Sequence, residues 1–242
     1  MQRQSPASLL IDERKMAILD AIIETYIELA EPVGSKLLTQ RFGFPLSSAT
    51  IRNEMADLER MGFICQPYTS AGRVPTESGY RFYVNNLLDR YEVALREQNA
   101  IKKKLLSMQR FERALETAAQ TLAERTDCAA IAASGENIYF SGMSNIFRQP
   151  DFYRSPLQAL RIAEIFDNLL HLINELPDGE EINIYIGDEN PIGKDANCSF
   201  IVSRFQTPFN TEGFVGVLGL TRMPYEKSIS LVKLVSEYLE EM

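Results

Sequence analysis

The sequence predicts a multidomain protein of α and α+β parts: a small helical head, a long connecting helix and a sheet-containing C-terminal body. Three observations carry that expectation. Short amphipathic helices punctuated by glycine and proline crowd the beginning of the chain, and a small-residue hairpin follows them. An apolar residue then recurs at every seventh position from Leu87 to Leu122. The remainder mixes short apolar strands with amphipathic helices, the order of an α+β domain.

In the head, Asp12 is a good N-cap and Glu13 an acidic first-turn residue. Met16, Leu19, Ile22, Ile23, Tyr26 and Ile27 then recur at helical spacing. This helix should run to about Ala30 and stop ahead of Pro32, because the residue before proline avoids the helical region. Ser35 is expected to cap a short second helix ending at Phe42, with Gly43 as its C-cap. Phe44-Pro45-Leu46 forms a turn. Ser47 or Ser48 caps a third helix whose apolar stripe is Ile51, Met55, Leu58 and Met61, and Gly62 closes it. Phe63 to Tyr68 reads as a strand, Thr69 to Gly72 as a hairpin tip, and Arg73-Val74-Pro75 as the return. Thr76 caps a further helix. Three helices plus a hairpin is the winged form of the helix-turn-helix.

From Leu87 to Arg125 the chain reads as nearly continuous helix. Leu87, Ala94, Ile101, Met108, Leu115 and Leu122 form a heptad series, with Leu105 and Ala119 beside it and Gln98 and Glu112 interrupting. Such a stripe either packs on its own domain or forms a dimer seam. Beyond it, strands are expected at Cys128–Ala133, Ile138–Phe140, Ile182–Ile186, Ser199–Phe205 and Phe214–Leu220. Helices are expected from Ser155-Pro156 to about Asn174 and from Tyr225 to Glu240. The resulting division is a DNA-binding head over 1–86, a connecting helix and candidate dimer seam over 87–126, and an α+β body over 127–242.

Composition narrows the function. The chain has 242 residues and a formal net charge of −8. Between Gly34 and Asn85, however, Lys36, Arg41, Arg52, Arg60, Arg73 and Arg81 outnumber Glu54, Asp57, Glu59 and Glu77. A mildly basic head on an acidic body suits a DNA-binding regulator with weak non-specific affinity. Cys65, Cys128 and Cys198 are widely spaced and His171 is the single histidine, so no zinc site is expected. No cofactor, phosphate-loop or hydrolase motif stands out, and Asp188 and Glu189 read as part of an Asn-Pro turn. The protein is not expected to be an enzyme. The first residues hold too short an apolar run for a signal peptide, and no stretch approaches the ~18 apolar residues of a membrane span. A soluble, cytoplasmic protein is expected.

The DNA-contacting residues follow from how such a head docks. The third helix enters the major groove by its N-terminus. That start holds Ser47, Ser48, Ala49 and Thr50, whose hydroxyls and backbone amides suit phosphate and whose methyl groups suit thymine. Arg52 matches guanine and Asn53 adenine. Thr69, Ser70, Gly72 and Arg73 form a small-residue wing tip with one cation, suited to the backbone or minor groove. Lys36, at the start of the second helix, suits a phosphate.

The run from Gly34 to Leu88, with SSATIRNEMADLE and TSAGRVPT as its most specific segments, resembles the DNA-binding head of the bacterial heat-inducible repressor HrcA family. GMSNIFRQPDF, IYIGDENP and GVLGLTRMPYEKSISLVKLVSEYL resemble that family's GAF-like C-terminal domain. The resemblance implies a homodimeric repressor of chaperone operons that binds an inverted-repeat (CIRCE-type) operator in double-stranded DNA. It also implies an activity maintained by the chaperonin GroEL. One departure is visible: Ala133-Ser134-Gly135-Glu136 passes almost directly to the SGMSN segment, where the family carries further strands and an inserted dimerisation domain. Dimerisation is then expected through the Leu87–Leu122 helix or through the sheet. The alternative is a ligand-responsive regulator with the same head, whose GAF-like domain binds a small molecule.

Overall fold

The computed structural model describes residues 11–87, 95–106, 111–153, 156–174, 182–191, 196–207 and 211–242. Contacts divide the chain into two compact units, Met1–Asn86 and Leu87–Met242.

The first unit begins with α1 (Glu13–Leu29), whose N-cap Asp12 accepts from the Lys15 amide at 2.8 Å. Its C-cap is Ala30, left-handed at φ 53°, so the helix stops just short of the expected end. Helix α2 (Ser35–Phe42) is capped by Gly34 without a side-chain bond. Ser35, expected as the cap, is instead its first helical residue and is buried; its carbonyl accepts from the Thr39 hydroxyl at 2.9 Å. Gly43 ends α2 at φ 58°, a left-handed value that glycine adopts without Cβ strain. Helix α3 (Ser48–Arg60) is capped by Ser47.

The expected strand after α3 is paired only at β1 (Ile64–Cys65), against β2 (Val74–Pro75). Helix α4 (Glu77–Leu87) starts at Thr76, whose hydroxyl accepts from the Gly79 amide at 3.1 Å. Ile18, Ile22, Leu38, Ile51, Leu58 and Val84 are fully buried and hold this unit together. Burying each of these side chains stabilises the fold by about 1.5–3 kcal/mol.

In the second unit α5 (Leu95–Leu106) and α6 (Phe111–Thr126) precede β3 (Ala129–Ser134) and β4 (Asn137–Ser141). Next come a short α7 (Met143–Phe147), a 3₁₀ turn at Pro150–Tyr153 and α8 (Pro156–Asn174). Strand β5 (Ile182–Ile186), a 3₁₀ turn at Gly187–Glu189, β6 (Cys198–Gln206), β7 (Glu212–Leu220) and α9 (Tyr225–Glu240) complete it. The five strands form one antiparallel sheet in the order β4-β3-β7-β6-β5. The class is therefore mixed α and α+β, as expected.

Strand alternation sorts side chains onto the two faces of this sheet. On one face α6 lies against β3 and β4, and α9 against β6 and β7. Buried hydroxyls fix α9 there: Ser203 donates to Ser236 at 2.8 Å, and Ser199 and the Tyr225 hydroxyl lie 2.7 Å apart. The alternate residues Ile131, Phe200, Val202 and Leu218 form a second core with Ile162 and Leu169 of α8.

The near-continuous helix expected from Leu87 to Arg125 is divided, among the described residues, between the end of α4, α5 and α6. Helix α5 packs on both α6 and α9. Ile101 is 2% and Leu105 0% exposed, and Leu115 and Leu122 are also fully buried. The heptad stripe is thus covered from within the unit and presents no apolar seam there; its Ala94 and Met108 lie outside the described residues. Lys102 completes the α5–α9 contact, reaching Glu241 at 2.7 Å with its ammonium 5.0 Å from the Tyr238 ring centre.

Strands β3 and β4 meet directly. Ser134 pairs with Asn137 and only Gly135, at φ 58°, and Glu136 lie between them. The sheet closes as a tight hairpin where the sequence suggested a missing insert.

Candidate nucleic-acid interface

The start of α3 is held from two sides. Beneath it, Ile51, Met55 and Leu58 are buried. At its end, the Ser47 hydroxyl accepts from the Thr50 amide at 3.1 Å and lies 2.9 Å from the Thr50 hydroxyl. Both hydroxyls therefore serve the cap. Its first turn contains no acidic residue, which leaves the positive end of the helix dipole uncompensated. Ala49, Arg52 and Asn53 are exposed on this first stretch, and Ser48 is half-buried. Lys36 is exposed at the start of α2, which packs on α3.

The ionic pattern of the unit separates its cations. Lys15 reaches Glu54 at 2.9 Å and Asp57 at 3.7 Å, and Arg14 reaches Glu54 at 3.7 Å. The hydrogen bond to Glu54 holds the Lys15 ammonium above its ordinary pKa. Arg41 is paired with Glu28, Arg60 with Asp57, and Arg73 with Glu59 at 2.9 Å. Arg81 is also engaged. Among the described residues of this unit, Lys36 and Arg52 are the cations with neither an ion pair nor a hydrogen bond. Arg52 lies near the start of α3, and Lys36 at the start of α2, the helix that packs on it.

The β1–β2 hairpin, expected as the wing, differs from its expected form. Thr69 and Ser70 are exposed at its tip, where the Ala71 amide donates to the Tyr68 carbonyl at 3.0 Å and Ser70 takes φ 68°. The Gln66 side chain donates to the Ala71 carbonyl at 3.0 Å. Gly72 is bare for an internal reason: a Cβ there would lie 2.5 Å from the Val33 carbonyl carbon and oxygen. Arg73 exchanges two backbone hydrogen bonds with Val33, both 2.9 Å, while its side chain turns to Glu59. Arg73 is therefore not the free cation of the tip. Tyr68, 66% exposed beside the tip, was not singled out by the sequence reading. An aromatic next to a turn carries no period that would reveal it.

Among the described residues no group of histidine, cysteine and acidic side chains is placed to hold a metal ion. Asp188 and Glu189 are exposed on a 3₁₀ turn. Cys65 is exposed, whereas burial pushes the Cys128 and Cys198 thiols up to about 12. No helix, among the described residues, is long and apolar enough to cross a membrane.

Comparison with known proteins adds family context. The model of the HrcA protein C-terminal domain matches residues 82–229. A heat-inducible transcription repressor HrcA from Natranaerobius thermophilus is 29% identical over 329 residues, covering 93% of this chain and 95% of the relative. The protein of that name from Geobacter sulfurreducens is 29% identical over 337 residues, with 95% and 98% covered. Both alignments are longer than this 242-residue chain, so the relatives carry residues with no counterpart here. A third HrcA, from Acetivibrio thermocellus, is 54% identical over 94 residues, 39% of this chain and 27% of the relative. A crystal structure described as a hypothetical protein at 2.2 Å resolution shares the fold, with a TM-score of 0.73 at 18% identity, covering 97% of this chain and 99% of that one.

Proposed function

The chain belongs to the HrcA family of heat-inducible transcription repressors, and from that premise we propose that it represses by gripping duplex DNA with a winged helix-turn-helix built from α1–α4 and the β1–β2 hairpin. The observation that carries this reading is the selective freedom of Lys36 and Arg52. Among the described residues of the unit, Arg14, Lys15, Arg41, Arg60 and Arg73 are paired with acids and Arg81 is engaged, while Lys36 on α2 and Arg52 on α3 stand unpaired. Free cations on two packed helices, one of which has an uncompensated N-terminus, attract DNA.

In this reading α3 lies in the major groove. Ala49 offers a methyl contact to thymine, Arg52 a bidentate donor pair to guanine, and Asn53 a donor and acceptor to adenine. Ser48, the exposed helix amides and Lys36 hold phosphates. Thr69 and Ser70 approach the backbone from the wing. Ser47 and Thr50 keep the helix start in shape, and Gly72 and Arg73 keep the wing in place.

The second unit is the regulatory body in this reading, GAF-like as the family resemblance implies. An inverted-repeat operator calls for two heads, hence a homodimer. Among the described residues, α6 and α9 pack on one face of the sheet and α8 shares the core on the other, so this reading assigns no small-molecule sensor to them. The signal is instead the chaperonin GroEL, as the family resemblance implies.

Nuclease footprinting upstream of the organism's own chaperone genes, with and without GroEL, tests this. Protection of an inverted repeat, strengthened by GroEL, is the expected result. Absence of a protected repeat at protein concentrations that saturate the fragment would overturn the operator reading.

A further inference from the structure

The carboxylate of Glu59 sits in the last turn of α3, at the end away from the proposed DNA surface. Its Oε2 accepts from Arg73 Nε at 3.0 Å and lies 2.9 Å from an Arg73 terminal nitrogen, so one carboxylate oxygen holds the guanidinium through two of its nitrogens. Both side chains are sheltered, 33% and 21% exposed, so solvent screens the pair less than it would a surface contact.

Other bonds secure the base of the same hairpin. Thr76 donates from its hydroxyl to the Gly62 carbonyl at 2.6 Å and from its amide to the Phe63 carbonyl at 3.0 Å. The outer side of the return is stitched to Val33 by two backbone bonds. Glu59–Arg73 is the side-chain link that runs directly from α3 to the wing's return. A hairpin with only two paired residues on each strand has little stiffness of its own.

Resting on the operator reading above, we propose that Glu59 is a positioning residue for DNA recognition: through Arg73 it fixes the wing at the height and angle at which Thr69 and Ser70 meet the backbone while α3 occupies the groove. An acid on a DNA-binding helix ordinarily repels DNA. Here its removal weakens binding, because the wing loses its reference to the helix. Arg73 in turn acts by holding the wing and touches no phosphate.

The test uses the full chain and the duplex fragment footprinted above, with a random-sequence duplex as control. Glu59→Gln, Arg73→Gln and the double variant are titrated at several salt concentrations. The expected result is that each single variant loses about tenfold in specific affinity, that the double variant is no worse than either, and that the dependence of log affinity on log salt keeps the wild-type slope. A merely structural role would lower thermal stability without this non-additive loss confined to the specific fragment. A nitroxide on Cys65, the exposed cysteine, gives a second readout in the free protein. Its spectrum is expected to become more mobile in Glu59→Gln. Unchanged or tighter binding by Glu59→Gln overturns the proposal, as does a salt slope that falls by about one phosphate contact in Arg73→Gln alone. A wild-type protein that fails to distinguish the two duplexes overturns the operator reading itself, and the spin-label result still decides whether the clamp exists.

Discussion

Arg52 and Asn53 are exposed, outside the buried stripe of α3, and Arg52 has no acidic partner. Their truncation therefore removes little from the fold and much from recognition. Arg52→Ala is expected to cost about 1–3 kcal/mol of specific binding, roughly 5- to 150-fold in affinity, with the melting temperature nearly unchanged. Gel-shift titration against the operator and a mutated repeat measures this; equal affinity for both duplexes in the wild type would exclude base reading. The cysteines give a prediction about the fold. At about pH 8 in native buffer Cys65 alone should react with a thiol reagent, and all three thiols after denaturation. The buried pair also contributes pH-dependent stability. Folding raises the two thiol pKa values from the ordinary 9.0 to about 12, so the native state holds protons that the unfolded chain releases. The contribution is complete below pH 9 and is lost as pH rises toward 12. Denaturant melts between those limits should show stability falling with pH, and less steeply once either cysteine is replaced by alanine.

At the scale of elements, the heptad stripe carries the most instructive prediction. Ile101 and Leu105 are buried where α5 meets α6 and α9. A charge placed at Leu105 is expected to destabilise the second unit by about 2–5 kcal/mol or more, a fall of roughly ten degrees in Tm. A Leu105→Asp protein that melts normally but sediments as a monomer would restore the stripe as a dimer seam. Periodicity states that a helix has an apolar face and is silent about what covers it; α9, far away in sequence, covers this one. Elements with strong local signals were legible for the same reason. Asp12, Ser47 and Thr76 cap their helices, and β5 and α9 have the expected bounds. Helix α7 and the 3₁₀ turn after it were missed, because five and four residues are too few to display a period. The candidate site was legible in its position on α3 but not in its ionic pairing. Arg73 looked like a free wing cation until Glu59, fourteen residues earlier, was seen beside it.

For the whole molecule, the net charge of −8 and the pairing of most head cations set the ionic character of binding. If each head brings Lys36 and its helix amides to phosphates while Arg52 reads a base, a two-headed complex neutralises on the order of two phosphates through cationic side chains. The slope of log affinity against log salt should then be near −2, following the usual release of about 0.9 counterion per contact. The pairs Arg14–Glu54, Arg41–Glu28 and Arg60–Asp57 set the contrast. Should they open so that their arginines reach the backbone, the slope steepens toward about −7. Fluorescence anisotropy of a labelled operator, titrated with the full chain from about 50 to 200 mM salt, separates the two. The shallow slope has a regulatory consequence. A repressor that takes little of its affinity from phosphates binds bulk DNA weakly, so most free protein stays off the chromosome. If it binds its operator as the proposed dimer, its occupancy then tracks the concentration of that dimer, and any control over that concentration passes directly to the operator. Measuring occupancy against total protein at fixed salt should give a steep response to dilution through the dimer dissociation constant; a response independent of dilution would mean that the two heads act singly.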